Sequence, residues 1–563
     1  MLFCLGLCLQ SMAGETEAAQ PTLVSSEIQT IIAAQSHPYL TQPGFLHRAE
    51  ELDTLYRMND YRLLWLGHPN SATDLVKVLN LFQTAEVNGL NPANYDVDTL
   101  MRQMQMVLTL EPTAYRQLAL YDTALSLSLL RFLHDLHYGR VAPHGINFNL
   151  KLREKKLVDF PTLIKESLVK DTLSELPALV EPKWAQYQKL KEYLSVYRSL
   201  AKETPPITLV INKSIHPGDH FSEQENLRQF LVSTGDMPEH QSEKDDNSST
   251  LYTGKMVDAV KTFQHRHGLN ADGILGKGTA EAINTPLAQR VTQIELAMER
   301  LRWLPESNPD RLIIVNIPAF QLWAFNDLTE NPEDLVSMKV VVGKALKNET
   351  PVLMAKLSFI DFMPYWNIPY SIAKDEILPK WIKDPDYLNK EEMELVNHFG
   401  NQVNSVEMSD TSIEQVKQGL LRIRQKPGKK NPLGRVKFIF PNKNDVYLHG
   451  TSANSLFSRS RRDFSHGCVR VEAPALLAEF ALKNLSKWTK EQITLAMKST
   501  KTERVILKKP IPVLFFYTTA YIDQKGSLEF YPDIYGHDAV LLGALQKKED
   551  LSDRLLFVSS RSD

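Results

Sequence analysis

Little cysteine, little net charge and no long apolar run near its start limit what this chain can be. Among 563 residues there are three cysteines, Cys4, Cys8 and Cys468, and the formal net charge is −3. Such a balance creates no global field that would attract nucleic acid or an anionic membrane surface. No internal repeat or low-complexity segment is visible. The composition is that of an ordinary soluble protein, long enough for about three or four domains.

The N-terminal apolar run, Leu2–Leu9, is far too short to span a bilayer. Because Ser11–Ala13 behind it resembles a cleavage site, the pattern predicts a secretory signal peptide over residues 1–13. A basic segment before the run is missing, so a truncated signal and a disordered apolar tip are the alternatives. A signal would remove Cys4 and Cys8, and the mature chain would keep one thiol with no internal disulfide partner.

Helical periodicity dominates residues 25–217 and predicts a helical scaffold domain. Its segment RQLALYDTALSLSLLRFLHDLHYG is apolar on nearly every side, as expected for the central helix of a bundle. Asp122, Arg131 and Asp135 within this segment argue against a membrane span. We expect no catalytic residue in this domain.

A second, smaller unit of short helices is predicted over residues 218–304. Val257, Val260 and Phe263 line one face of a helix that Gly268 would end. The polar loop before this helix has no core-forming residues.

After this unit, β-branched and aromatic runs separated by turn residues predict a mostly-β domain over residues 311–500. A charged insertion, residues 372–432, interrupts it, and we expect a lid over a cleft. Residues 501–563 are predicted to add a C-terminal strand and extension, packed on the scaffold or on the β domain. The predicted fold class is multidomain α+β, with an N-terminal helical scaffold, a small three-helix module and a mostly-β domain with an inserted lid.

The thiol of the mature chain lies in the stretch DFSHGCVRVE, residues 463–472. Acyl transfer by a thiol needs a thiolate, a base and donors for the oxyanion. Gly467 leaves the sulfur of Cys468 open to approach, and a helix predicted after it would favour the thiolate. In DVYLHGT, strand alternation puts Tyr447 and His449 on one face, as expected for a base presented into a cleft.

Each of these residues also has a structural explanation. Cys468 could be a buried small hydrophobic residue, His449 a strand cap and His466 an ordinary turn residue. A zinc ion shared by the three is a further alternative, although no fourth ligand is evident. The residues alone support a nucleophilic cysteine and a structural one about equally.

The segment HGTSANSLFSRSRRDFSHGCVRV resembles the signature of the YkuD-type L,D-transpeptidases, in which a histidine precedes Ser-His-Gly-Cys-Val-Arg at this spacing. The stretches MKVVVGK, PYWNIPYSIAKDEILP and NPLGRVKFIFPN are similar to the large, YcbB-like periplasmic members. Those members have a helical scaffold and a peptidoglycan-binding module before the catalytic domain, and a lid inserted within it. The stretch AVKTFQHRHGL, followed by DGILGKGT, is similar to that module.

The resemblance implies roles for eight residues. Cys468 would be the nucleophile and His449 its base, with the carbonyl of Gly450 orienting the ring. Tyr447 and the backbone N–H groups of Gly467 and Cys468 would stabilise the oxyanion. Three further motif residues would shape the turn and the site: Ser465, His466 and Arg470.

The function implied by the resemblance is that of a periplasmic enzyme that crosslinks the third residues of two peptidoglycan stem peptides. A cysteine acyl-enzyme would form, and D-alanine would leave. The partners would be tetrapeptide stems, as donor and acceptor, together with other wall-synthesis enzymes, and not nucleic acid. No metal or cofactor is implied, because the broken amide supplies the driving force, and carbapenems would acylate the cysteine.

Alternatives within the same fold differ in the acceptor. Water would make the protein an L,D-carboxypeptidase, and a protein lysine would make it a wall-anchoring enzyme. A catalytically retired peptidoglycan-binding protein is the non-enzymatic alternative. Six basic residues near the motif would either attract an acidic stem or be solvated surface. These six are Arg424, Lys429, Lys430, Arg459, Arg461 and Arg462.

Overall fold

The structure is a computed structural model. It describes residues 16–45, 48–143, 158–238, 251–305, 310–326, 335–398, 405–409 and 411–547. The predicted signal peptide, with Cys4 and Cys8, lies outside these residues. Across the described ranges, no helix combines the length and the apolar character that crossing a membrane requires.

The N-terminal part of the described chain is helical. Its helices are α1 (Thr16–Ala34), α2 (Ala49–Arg57), α3 (Ser71–Gln83), α4 (Val97–Leu108), α5 (Tyr115–Tyr138), α6 (Phe160–Val169), α7 (Leu176–Val180) and α8 (Ala185–Glu203). Every residue of α5 from Leu118 to His137 is buried, as its apolar sequence predicts for a central helix.

Asp122 of α5 is fully buried, and its carboxylate joins α5 to the segment after α2. It accepts hydrogen bonds from the Tyr56 hydroxyl at 2.6 Å and from the backbone N–H groups of residues 64–66 at 2.9 to 3.1 Å. Burial raises the pKa of Asp122 to about 6, although these hydrogen bonds favour the carboxylate. The acidic residue that argued against a membrane span is therefore a structural link inside the scaffold.

The second unit continues the helical texture. Its helices are α9 (Gln224–Ser233), α10 (Gly254–Arg266), α11 (Lys277–Ile283) and α12 (Leu287–Arg302). Gly268, with a φ of +64°, follows the end of α10 and adopts the conformation that glycine accommodates best. Leu209, which precedes the predicted start of this unit at residue 218, belongs to the same small core as Leu227. Helix α12 packs on α8, and its buried side chains join the core of the β domain.

The remaining described chain contains the strands. They are β1 (Leu312–Asn316), β2 (Gln321–Phe325), β3 (Val336–Gly343), β4 (Leu353–Phe362), β5 (Trp366–Asn367), β6 (Met393–Val396), β7 (Ser405–Val406), β8 (Arg422–Gln425), β9 (Val436–Ile439), β10 (Leu448–His449), β11 (Asp463–Ser465), β12 (Val469–Val471), β13 (Glu503–Phe516), β14 (Ala520–Ile522) and β15 (Leu528–Phe530). Nine of them form one sheet in the order β11-β3-β12-β10-β9-β4-β13-β1-β2. Because β2 also pairs with β3, this sheet closes on itself.

Strand β13 changes the expected end of the β domain. The sequence predicts a C-terminal strand and extension over residues 501–563, packed on the scaffold or on the catalytic domain. Instead, β13 lies inside the sheet, antiparallel to β4 and parallel to β1. Its apolar residues Val513 and Phe515 are buried in the shared core, so this strand is an integral part of the sheet.

The insertion is a folded subdomain with its own four-stranded sheet, in the order β5-β8-β6-β7. Because β5 pairs with β8, it begins a few residues before the predicted start at residue 372. Its helices are α13 (Tyr370–Ile372), α14 (Leu378–Lys383), α15 (Tyr387–Lys390) and α16 (Ser412–Lys417), with a π-helical turn at Ala373–Ile377. Buried Trp381, Leu395 and Ile423 form part of its separate core. A role as a lid stays a prediction.

Three helices complete the C-terminal part: α17 (Pro474–Leu482), α18 (Lys490–Ala496) and α19 (His537–Gln546). Asp538 of α19 accepts a hydrogen bond from buried Arg300 of α12 at 2.5 Å, which ties the helical unit to the end of the β domain. Helical units before a mostly-β domain with an inserted subdomain confirm the predicted multidomain α+β class.

Candidate active site

The thiol and the histidine lie on one face of two neighbouring strands. Strands β10 and β12 are parallel, with Leu448 opposite Val469 and His449 opposite Arg470. Leu448 and Val469 are fully buried in the core. Since side chains alternate along a strand, Cys468 and Arg470 share the opposite face with His449.

Strand β12 follows Cys468 directly, and helix α17 begins only after it. The predicted help from a helix N-terminus next to the thiol is therefore absent. A turn across His466–Cys468 presents the sulfur instead, and Gly467 has a φ of +106° there. Glycine accommodates this backbone conformation, which other residues rarely adopt.

Cys468 is partly exposed, and its sulfur lies 3.8 Å from the carbonyl oxygen of Asp445. Burial raises the pKa of the Cys468 thiol. Hydrogen bonds from the backbone and side chain of Tyr447, and the positive charge of Lys437, act in the opposite direction. Tyr447 and Lys437 therefore favour the thiolate, whereas burial of the Cys468 side chain disfavours it.

His449 is almost fully buried, and its ring is hydrogen-bonded to the backbone of Gly450 and of Leu433. Its Nδ1 atom lies 2.6 Å from the carbonyl oxygen of Gly450. A carbonyl oxygen can only accept, so Nδ1 carries the hydrogen and Nε2 has the free lone pair. Burial, followed by the charge of Arg470, lowers the pKa of His449 to about 3, so the imidazole is neutral at pH 7. The ring is thus a neutral base with its accepting nitrogen defined.

Ser465 organises the turn that carries the sulfur. Its hydroxyl donates to the carbonyl oxygen of Cys468 at 2.5 Å and accepts the N–H of Gly467 at 3.2 Å. The single hydrogen of Gly467 N–H is therefore used inside the turn, which corrects its expected place as an oxyanion donor. No hydrogen bond of the Cys468 backbone N–H is found among the described residues. Cys468 N–H and Tyr447 thus stay as candidate donors.

His466 and Arg470 take different positions around the turn. The His466 ring lies 2.7 Å from Glu376 of the insertion, with its Nε2 against a carboxylate oxygen. Arg470 lies next to His449 across the strand pair, and its charge lowers the pKa of that histidine. His466 therefore points to the insertion and Arg470 lies beside His449, and a role of both in shaping the site stays a prediction.

Three family models match successive parts of the chain. Residues 50–194 match a scaffold domain, residues 224–283 a "Putative peptidoglycan binding domain" and residues 310–503 an L,D-transpeptidase catalytic domain. The part of the chain that holds the candidate site is thus similar to the L,D-transpeptidase catalytic domain. A Haemophilus influenzae protein named "Putative L,D-transpeptidase" is 30% identical over 329 residues, which are 57% of this chain and 64% of that protein. The chain thus spans just under two thirds of the length of that curated relative.

Lys437 is a residue of the candidate site that the sequence did not reveal. It lies on β9 directly opposite His449, and its Nζ is 3.8 Å from the centroid of the Tyr447 ring. Burial lowers the pKa of Lys437, and the charge of Cys468 acts to raise it. The signal was a lone lysine between buried residues of GRVKFIF, but only the pairing of β9 with β10 relates it to the base.

Gly434 and Gly450 lie where the segment before β9 closely approaches the end of β10. Gly434 has a φ of +66°, and a Cβ atom there would lie 2.6 Å from the backbone nitrogen of Thr451. Gly450, whose carbonyl orients His449, runs past the same point. The stretch NPLGRVKF, which is part of the resemblance, therefore packs closely against Gly450, the residue whose carbonyl oxygen orients His449.

Three of the six basic residues near the motif are arginines with internal partners. Arg461 pairs with Asp463 at 2.7 Å, and buried Arg462 donates to the carbonyl oxygens of Val340 and Phe320. Arg424 pairs with Glu394 in the insertion. These contacts favour a structural role for the three arginines. Among the described residues, no group of three or more His, Cys, Asp or Glu side chains has the arrangement of a metal site.

Proposed function

We propose that this protein is a periplasmic L,D-transpeptidase that joins the third residues of two peptidoglycan stem peptides. Cys468 is the nucleophile, His449 the base, and Gly450 the residue that orients it. The observation that carries the proposal is the shared face of β10 and β12, on which a neutral imidazole with a defined accepting nitrogen accompanies the thiol.

Acylation follows from this arrangement. Nε2 of His449 takes the thiol proton as the sulfur of Cys468 attacks the carbonyl between the third residue and the terminal D-alanine. Cys468 N–H and the Tyr447 hydroxyl stabilise the oxyanion that forms. The imidazolium then gives its proton to the departing amine, the C–N bond breaks, and D-alanine leaves. A thioester on Cys468 remains.

Transfer repeats these steps in reverse order with a second stem. The side-chain amine of its third residue attacks the thioester, and His449 accepts the amine proton. The C–S bond breaks, the thiolate recovers the proton, and a new amide joins the two stems. One amide is broken and one is made, so the reaction needs no nucleotide.

The other units support this reaction. The insertion covers the cleft as a lid, since Glu376 reaches the catalytic motif. Residues 224–283 hold the enzyme at the glycan, consistent with the family model that they match. Other wall-synthesis enzymes are the protein partners that this role implies, and residues 1–13 direct secretion.

Intact-protein mass spectrometry with a carbapenem tests the acyl-enzyme, with Cys468→Ala as the control. A covalent adduct on the wild type alone is expected. Incubation with a disaccharide-tetrapeptide then identifies the acceptor: a crosslinked dimer with free D-alanine supports transpeptidation, whereas tripeptide with D-alanine indicates a carboxypeptidase. If the folded protein gives neither adduct nor product, the result would indicate a catalytically retired peptidoglycan-binding protein.

A further inference from the structure

A buried hydrogen-bond network lies directly behind the turn that carries the nucleophile. The hydroxyl of Thr350 donates to the carbonyl oxygen of Gly467 at 2.8 Å and accepts the backbone N–H of Gly343 at 2.8 Å. Thr350 is fully buried and is separated from Gly467 by 117 positions in sequence. Its single hydroxyl hydrogen is therefore committed to the turn.

The network continues into the C-terminal segment. Tyr535 donates its hydroxyl hydrogen to the carbonyl oxygen of Gly343 at 2.5 Å and accepts the backbone N–H of Thr350 at 3.2 Å. The Tyr535 backbone N–H in turn donates to the hydroxyl of Tyr517 at 3.0 Å, and Tyr517 donates to Asp533 at 2.5 Å. Each hydroxyl in this network has a defined donor and acceptor role, so the network has one arrangement of hydrogens.

The bond to Gly467 matters because of peptide geometry. The carbonyl oxygen of Gly467 and the N–H of Cys468 belong to one planar trans peptide and point in opposite directions. Glycine itself sets no strong preference for its backbone angles, so an outside contact is needed to hold this plane. Thr350 pulls the oxygen toward the core, and the Cys468 N–H consequently faces the sheet surface where the oxyanion forms.

We propose that Thr350 is a positioning residue for the oxyanion donor of Cys468, and that Tyr535 holds Thr350 in place. This inference rests on the proposed function. It gives the segment after β13 a role in catalysis, although none of its residues reaches the sulfur in the contacts described above.

Two reactions of the same sulfur separate this role from general support of the fold. Alkylation by iodoacetamide displaces iodide at a saturated carbon and forms no oxyanion. Carbapenem acylation opens a lactam amide and passes through an oxyanion, so it depends on the donor. Removing one oxyanion donor typically costs roughly 10² to 10³ in rate.

The test compares both rates in Thr350→Val, Thr350→Ser and Tyr535→Phe in the full chain. We expect Thr350→Val to lower the acylation rate by roughly tenfold to a hundredfold, since the donor is misplaced rather than removed. Alkylation should stay within about twofold of the wild type, and Thr350→Ser should acylate like the wild type because it keeps the hydroxyl. Tyr535→Phe should reduce acylation in the same selective way.

Equal loss of both rates would overturn the inference, as would unchanged acylation in Thr350→Val or Tyr535→Phe. If Thr350→Val does not fold by circular dichroism, the ratio of the two rates in Tyr535→Phe decides. A wild type that is alkylated but never acylated would overturn the proposed function, and this inference with it.

Discussion

Glu376 lies 2.7 Å from His466, and this contact joins the insertion to the Ser-His-Gly-Cys motif. Glu376 is part of the π-helical turn Ala373–Ile377, a helical irregularity that is frequent at functional sites. His466 is two positions before Cys468. The two side chains are 44% and 48% exposed, so their pairing adds little to the stability of the whole protein. The pairing of Glu376 with His466 should instead restrain the position of the insertion.

Glu376→Ala tests this relationship by hydrogen–deuterium exchange. We expect faster exchange across residues 370–383 because the link from the insertion to the motif is lost, while the melting temperature changes by no more than about 2 °C. Glu414→Ala is the matched control, since the Glu414 carboxylate pairs with its close neighbours in sequence, Lys417 and Gln418. Identical exchange in both variants would show that the contact does not restrain the insertion.

Lys437→Met should raise the pKa of the Cys468 thiol, because the variant removes a positive charge that favours the thiolate. Lys437→Arg keeps the charge and should change this pKa much less. The measurement is the rate of iodoacetamide alkylation against pH, whose midpoint reports the thiol pKa.

Other charged groups around Lys437 stay in place in these variants. The charged groups are Asp361 of β4, Arg504 of β13, Arg470 of β12 and Asp445, and the neutral His449 of β10 lies opposite Lys437. Lys356→Met, at an exposed position of β4, is the matched control and should leave the profile unchanged. A midpoint that does not move in Lys437→Met would assign Lys437 to ring packing alone.

Buried neutral histidines should make the folded protein sensitive to acid. Burial lowers the pKa of His37 to about 4 and that of His449 to about 3, and it also lowers the pKa of His267 well below its usual value. The unfolded chain takes up these protons below about pH 6.5, and the folded protein does not. The contribution of these histidines to the free energy of unfolding is therefore fully present above that pH. It falls as the pH drops toward 4, by about 3 kcal/mol for His37 alone.

His267→Phe separates this effect from general acid damage. The His267 ring stacks on Phe263, at 3.8 Å between centroids, and Nδ1 donates to the Phe263 carbonyl oxygen at 2.7 Å. The variant keeps an aromatic ring but cannot be protonated in the unfolded state. We expect a smaller fall in melting temperature between pH 7.5 and pH 5 than in the wild type, measured by calorimetry. An equal fall in melting temperature would show that His267 does not contribute to the acid sensitivity.

Local patterns predicted the part of the site that lies within a few residues. Alternation in DVYLHGT put Tyr447 and His449 on one face, and their ring centroids are 5.6 Å apart. The sequence did not predict Lys437, because only strand pairing places it opposite His449. It did not predict Thr350 and Tyr535 either, because long-range hydrogen bonds connect them to the turn. The same limit applies to β13, whose place between β4 and β1 depends on partners far away in sequence.

Gly434→Ala should impair acylation because the added Cβ has no room beside the strand of the base. It would lie 2.6 Å from the nitrogen of Thr451 and 2.8 Å from the carbonyl carbon of Gly450, so the residue that orients His449 must move. Gly419→Ala is the matched control. Gly419 has a similar φ, +73° against +66°, but nothing lies within 4 Å of its Cβ position.

Both variants carry a similar backbone strain of about 1 kcal/mol, so a difference between them reports the displaced backbone at the base. We expect the carbapenem acylation rate of Gly434→Ala to fall at least about tenfold, since small misplacements of catalytic groups are costly, and that of Gly419→Ala to stay near the wild type. If the two variants acylate at the same rate, the close approach of the segment before β9 to Gly450 does not position the base.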